Sequence, residues 1–135
     1  LIPFMEELKT VKDYLGLESI RYEERLKTSY DLAGSSESFQ IPPLMLQTLV
    51  ENGIKHGIAK LTKGGEIRIA TKIDNNSLIV EIRNSGQLVE KRTRKTGFGV
   101  ENTRKRLAMI YGDEAEFSIS NENERTVLTK IKIPK

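Results

Sequence analysis

The segment Leu44–Gly57 constrains this chain more than any other stretch. Its apolar residues Leu44, Leu46, Leu49, Val50 and Ile54 recur at helical spacing and predict an amphipathic helix. Beside the apolar stripe, Glu51, Asn52, Lys55 and His56 form a dense polar cluster, where an ordinary surface helix would scatter such groups. Asn52 is followed by Gly53, a residue that costs about 0.8–1 kcal/mol relative to Ala inside a helix. A small residue beside an Asn makes sense where something large must lie against that turn. Pro42-Pro43 predicts the helix start, proline being well tolerated in a first turn.

The flanking chain alternates between helical and strand periods. Met5 to about Tyr22 reads as a helix with Leu8, Val11, Leu15 and Ile20 on one face. Arg25 to Leu32 reads as a strand, followed by a loop over residues 33–38 on turn chemistry. Lys63-Gly64-Gly65 breaks the chain before a strand from Glu66 to Ile73, where Ile67, Ile69 and Thr71 alternate with Arg68, Ala70 and Lys72. Asp74-Asn75-Asn76 is a hairpin turn, and Ser77 to Arg83 returns with Leu78, Val80 and Ile82 inward. Val100 to Tyr111 is a helix closed by Gly112. Ala115 to Asn121 and Thr126 to Ile133 form a last hairpin around Glu122-Asn123-Glu124. Paired strands in one layer and helices in the other make an α/β two-layer sandwich.

Length and composition exclude several classes. At 135 residues the chain fits one domain with a real core, and 37% hydrophobic with 30% charged residues is ordinary for a globular protein. No apolar run approaches the roughly 20 residues of a membrane helix, and no signal peptide opens the chain. Cysteine is absent, which excludes a disulfide framework and thiolate chemistry and agrees with a cytoplasmic setting. The net charge of +3 is too small to imply nucleic acid, and Phe98 is the only aromatic between Phe39 and Tyr111, so no basic stripe with interleaved aromatics exists. Lys91, Arg92, Arg94 and Lys95 cluster, with Arg104, Lys105 and Arg106 soon after. Such runs are either a solvated face or a lid that meets an anion.

The order Glu51-Asn52-x-x-Lys55-His56-Gly57 resembles the N box of histidine-kinase ATP-binding domains. Thr96-Gly97-Phe98-Gly99-Val100 and the helix to Leu107 resemble that family's second glycine box. Two glycines one apart, opening a helix, leave backbone N–H groups free to face an anion. Ile82-Arg83-Asn84-Ser85-Gly86 stands where the first glycine box belongs, with Asn84 in place of the family's Asp. The stretch from Glu7 to Tyr22, followed by Ile41 to Asn52, resembles the LytS/YehU-type sensor kinases, departing mildly at Thr48 and Gly53, where that family has Pro and Ala.

The resemblance implies the Bergerat ATP-binding fold over residues 1–135, with residues 1–23 a helix that follows a missing phosphoacceptor segment. It implies Mg-ATP as the cofactor. Asn52 would hold the metal, and Glu51 would either polarise the attacking group or orient a magnesium-bound water. Lys55, His56 and Gly57 would lie on the phosphate side, Asn84 and Gly86 at the adenine. Gly97, Phe98, Gly99, Val100 and Arg104 would serve the phosphates and lid. His56 is the single histidine of the chain, yet its place in the N box argues against its being the phosphate acceptor. The activity implied is transfer of the ATP γ-phosphoryl group to a histidine outside this chain, for relay to a response-regulator aspartate. Upstream dimerisation and phosphotransfer helices would be the partner element, in a homodimer anchored in the bacterial inner membrane; no nucleic acid is expected.

Plainer readings stand beside these. Alone, Asn52 would be a surface amide, Gly97 and Gly99 a plain loop, Gly86 a strand exit and Phe98 a core residue. Two other functions also stay open: a degenerate scaffold of the same fold, favoured by Asn84, and another ATPase or protein-serine kinase of the superfamily. The short lid and the LytS-like N-terminal stretch count against ATPases of the gyrase B or MutL type.

Overall fold

The computed structural model describes residues 1–23, 25–87 and 93–134, of which residues 60 and 93–98 are described by backbone alone. In chain order the elements are β1 (Ile2–Pro3), α1 (Phe4–Arg21), β2 (Leu26–Asp31), β3 (Gln40–Ile41), α2 (Met45–His56), β4 (Gly65–Asp74), β5 (Ser77–Ser85), α3 (Thr93–Tyr111), β6 (Glu116–Asn121) and β7 (Thr126–Pro134). Five strands form one sheet in the order β2-β4-β5-β7-β6. Strand β2 joins β4 in parallel, across the crossover that carries α2; the other neighbours are antiparallel. A short antiparallel pair of β1 and β3 sits apart.

Period-two alternation sends Ile67 and Ile69, then Leu78, Val80 and Ile82, then Ile131 and Ile133 into the core. They meet Phe4, Leu8, Val11 and Leu15 of α1 and Leu46, Leu49, Val50 and Ile54 of α2 in one apolar cluster. The opposite sheet face carries ion pairs, among them Arg68–Glu66 at 2.8 Å, Lys72–Glu81 at 3.3 Å and Arg83–Glu122 at 2.9 Å. The chain is therefore the two-layer α/β sandwich expected from its pattern. Asn75 and Asn76 both take positive φ, at 49° and 64°, which turns β4 back into β5 as a hairpin. Gly112, at φ 61°, ends α3 in the left-handed conformation that glycine adopts without strain.

Four sequence expectations change. Helix α2 begins at Met45, beyond Pro42-Pro43, and Leu44 at its entrance is left-handed (φ 66°) and 59% exposed, so it does not belong to the apolar stripe. Ile20 is 75% exposed; five residues beyond Leu15 it lies roughly 140° around the helix, off the buried face. Helix α3 begins at Thr93, not Val100, so Gly97 and Gly99 lie inside its early turns and do not open it. Arg94 and Lys95, good helix formers, extend the helix ahead of the glycines. Residues 33–38, expected as a loop, contain a 3-10 turn over Gly34–Ser38, pinned where Ser36 Oγ and Thr71 Oγ1 meet at 2.6 Å.

Candidate functional site

Asn84 is the inward residue that follows Leu78, Val80 and Ile82 on β5, so strand alternation alone aims a polar amide at the helix layer. It is only 4% exposed. Its Nδ2 donates to the Ser85 carbonyl at 3.0 Å and makes a longer, 3.5 Å contact with the Gly53 carbonyl. Those contacts fix the amide so that Oδ1 turns toward Gly53.

Helix α2 approaches this amide through its two glycines. A Cβ on Gly53 would lie 2.9 Å from Asn84 Oδ1. A Cβ on Gly57 would strike Asn84 Nδ2 and come within 2.8 Å of both the Gly53 and Ser85 carbonyl oxygens. Gly86, at φ +132°, adds a third constraint, because a Cβ there would lie 2.9 Å from Gly57 Cα. The helix propensity lost at Gly53 is thus the condition for bringing α2 onto the end of β5.

Asn52, Gly53, His56, Gly57 and Asn84 line one cavity with Gln87, Ile119, Val127 and Thr129. Its volume is about 20 Å³, room for about one water molecule. A wider hollow of about 460 Å³ lies against Glu116, Phe117, Ser118, Lys130 and Lys132 and contains none of the candidate residues. The structure therefore brings together Asn52, His56, Gly57 and Asn84 at the cavity, with Gly86 against Gly57. It leaves Glu51 and Lys55 exposed on the outer side of α2, where Gln47 Nε2 donates to Glu51 Oε1 at 3.0 Å. Burial, then the Glu18 and Glu51 carboxylates, push the Tyr14 phenol up to about 12.

Gly99 and Val100 sit on α3 beside α2: a Cβ on Gly99 would lie 3.0 Å from Thr48 Cγ2, and Val100 is buried. Thr103 Oγ1 donates to the Gly99 carbonyl at 2.8 Å, so the segment is held within its helix. Arg104 is directed elsewhere, its guanidinium 4.9 Å from the Phe117 ring centre and 3.8 Å from Glu101. Gly97 is described by backbone only, as are Arg94, Lys95 and Phe98; the remaining lid cations, Lys91 and Arg92, fall outside the described residues.

Two features escaped the sequence reading. Val127 and Thr129 of the last hairpin line the cavity, and Thr129 is a buried polar residue within the inward series Val127, Thr129, Ile131, Ile133. A lone polar residue in an apolar alternation was the available signal. The second is Glu7. It is 2% exposed and lies in the stripe of Phe4, Leu8, Val11 and Leu15, where a carboxylate is unexpected. Its Oε1 accepts the Leu44 N–H at 3.1 Å and its Oε2 accepts the Gln47 N–H at 3.2 Å, so α1 caps the start of α2.

Among the described residues no group of three or more His, Cys, Asp or Glu side chains could hold a metal ion. Asn52, Asn84 and Thr129 offer neutral oxygens at the cavity, a donor set that could serve Mg²⁺, which keeps several waters and takes few protein ligands. Among the same residues no helix is long and apolar enough to cross a membrane.

No protein-family model matches the chain. Sensor protein LytS of Enterococcus faecalis is 33% identical over 132 residues, covering 89% of this chain and 22% of that protein. Sensor histidine kinase BtsS of Escherichia coli K12 is 28% identical over 133 residues, covering 98% of this chain and 24% of its own length. The chain thus spans less than a quarter of the length of these relatives. Among solved structures, the catalytic domain of histidine kinase ThkA superposes with a TM-score of 0.74 at 16% identity, covering 99% of this chain and 94% of that one. ThkA in complex with the response regulator protein TrrA superposes at 0.69 and 18% identity, over 99% of this chain and 41% of that one. The fold is that of histidine-kinase catalytic domains, and the chain is related over most of its length to LytS- and BtsS-type sensor histidine kinases.

Proposed function

From this kinship we propose that the chain is the ATP-binding catalytic part of a sensor histidine kinase. The observation that carries the reading is the convergence of Asn52, His56, Gly57 and Asn84 on one cavity between α2 and the sheet. Phosphoryl transfer consists largely of positioning and charge neutralisation, so a site built from amides, glycines and nearby cations suits it. Asn52 would hold Mg²⁺ against the triphosphate. Asn84 Oδ1, turned by the bond from Nδ2 to Ser85, would accept the adenine amino group. The segment around Gly97–Val100 would supply the lid, and Glu51, exposed on α2, would face an acceptor approaching from outside. When bound, the nucleotide would supply the phosphoryl group and its metal the charge neutralisation, with Asn52 and Asn84 orienting them.

The described walls leave a hollow of only about 20 Å³ beside Asn84, and the nucleotide would extend from it toward the segment that precedes Gly99. The acceptor histidine, on helices of the same dimer, and a response regulator would complete the relay at the cytoplasmic side of a membrane-anchored protein. The small cavity and Asn84 also favour a second reading, a regulatory scaffold that binds no nucleotide.

Titration calorimetry with a non-hydrolysable ATP analogue, with and without Mg²⁺, separates the two. Saturable one-to-one binding that requires magnesium and is lost in Asn52→Ala is expected. No binding at millimolar nucleotide by a protein that still melts cooperatively would replace the kinase reading with the scaffold.

A further inference from the structure

The turn that starts α2 is gripped from two sides by residues that do not line the cavity. From α1, the buried Glu7 carboxylate takes the Leu44 and Gln47 N–H groups. From α3, Arg106 Nη1 donates to the Pro43 carbonyl. Within the turn, Leu44 is held left-handed, a conformation that strains a non-glycine residue and persists only where its surroundings enforce it. A cap serving only to satisfy helix N–H groups would ordinarily come from a Ser, Thr, Asp or Asn at the N-cap itself. Here no side chain of the N-cap residue makes a capping bond, and the anchor comes from another helix.

The far end of the same helix packs closely on the end of β5. A Cβ on Gly57 would meet Asn84 Nδ2 and two backbone carbonyl oxygens, and one on Gly53 would come 2.9 Å from the Asn84 side chain. A 12-residue helix behaves as a rod, so tilting its first turn carries Asn52, Gly53 and Gly57 across that amide. The grip also extends along the surface, since Gln47, held by its backbone, donates its side-chain amide to Glu51.

We propose that Glu7 and Arg106 are positioning residues that clamp the first turn of α2 and thereby set the seat of Asn52 and of the glycines over Asn84. Through this clamp α1 and the glycine-bearing α3 both control the geometry of the site without lining it.

The test uses the whole 135-residue chain and the variants Glu7→Gln and Arg106→Gln, each read in two ways well below its melting temperature. Gln keeps the size of Glu7 but offers one acceptor for two N–H groups. The first readout is the NMR signal of the Asn84 side-chain amide, which reports the seat of α2 with no ligand present. The second is the Mg-ATP dissociation constant, which rests on the function proposed above. Both variants should move the Asn84 signal and weaken Mg-ATP by about fivefold or more, the scale of a coupling between separated sites. Ser36→Ala, which loosens a buried contact away from α2, should leave both readouts at the wild-type value.

An Asn84 signal and an affinity unchanged in both variants, with only a lower melting temperature, would overturn the proposal. So would Ser36→Ala moving them equally. Should wild type bind no Mg-ATP while the Asn84 signal moves in the variants, the nucleotide reading falls and the clamp stands. Should Glu7→Gln fail to fold, Arg106→Gln decides by the same criteria.

Discussion

The two ends of α2 are fixed by opposite means. Its start is held by added atoms: a carboxylate from α1 and a guanidinium from α3 grip the turn at Pro43–Gln47. Its finish is held by missing ones, since Gly53 and Gly57 let the helix backbone rest on Asn84 and Ser85. The first end is therefore vulnerable to deletion and tolerant of local change, and the second is vulnerable to addition. One helix thus carries an adjustable end and an end of fixed clearance, with Asn52 between them on the side of the fixed one.

Adding a methyl group at the crowded end should give the largest effect. Gly57→Ala places a Cβ against Asn84 Nδ2 and two carbonyl oxygens, and backbone cannot yield as a flexible side chain would. A loss of about 1–3 kcal/mol in urea unfolding is expected, the usual cost of overpacking, together with loss of any nucleotide binding. A variant as stable as wild type would show that the clearance is not limiting.

At the other end a change of residue should help. Leu44→Asn puts a residue that tolerates positive φ at an exposed, left-handed position while keeping the backbone N–H that Glu7 accepts. A gain of about 0.5 kcal/mol is expected from the relieved strain. A loss instead would mean that the Leu44 side chain contributes something its exposure hides.

The smallest effect concerns the boundary with α1 and depends on pH. Burial, followed by Glu18 and Glu51, raises the Tyr14 phenol from 10.0 to about 12. The folded state therefore keeps a proton that the unfolded chain gives up first. Stability from this group is complete below pH 10.0 and is lost as pH climbs toward about 12. Tyr14→Phe should flatten that alkaline decline in unfolding experiments at stepped pH. Part of the slope should remain, because burial also raises Tyr30 and Tyr111. An unchanged slope would place the titration elsewhere.

What the sequence disclosed follows from the range of the forces involved. Alternation in Ile67–Thr71 and Leu78–Ile82 and the turn chemistry of Asn75-Asn76 are local, and the strands and hairpins formed where those signals stood. Asn52, Gly53, His56 and Gly57 declared themselves by a density of polar groups and glycine on one helix. The beginnings of α2 and α3 were misplaced because each depends on distant partners or on propensity weighed against glycine: Glu7 caps Leu44 from 37 residues away. Thr129 and Glu7 were legible only as polar residues in apolar series, a pattern whose meaning depends on what packs opposite. The placement of Arg104 over the Phe117 ring, and not toward the cavity, left no trace in the local sequence.

The parallel pairing of β2 with β4 has a consequence for how any ligand would be felt. The antiparallel hairpins β4–β5 and β6–β7 close over short loops, but β2 reaches β4 only after the long crossover bearing α2 is in place. The cavity takes one wall from that crossover and the others from both hairpins. A chain with its hairpins formed and its crossover loose would have no cavity at all. Occupancy would then report on the cooperative unit as a whole, and a ligand bound there would raise the melting temperature of the entire sandwich by mass action, not protect a single corner from exchange.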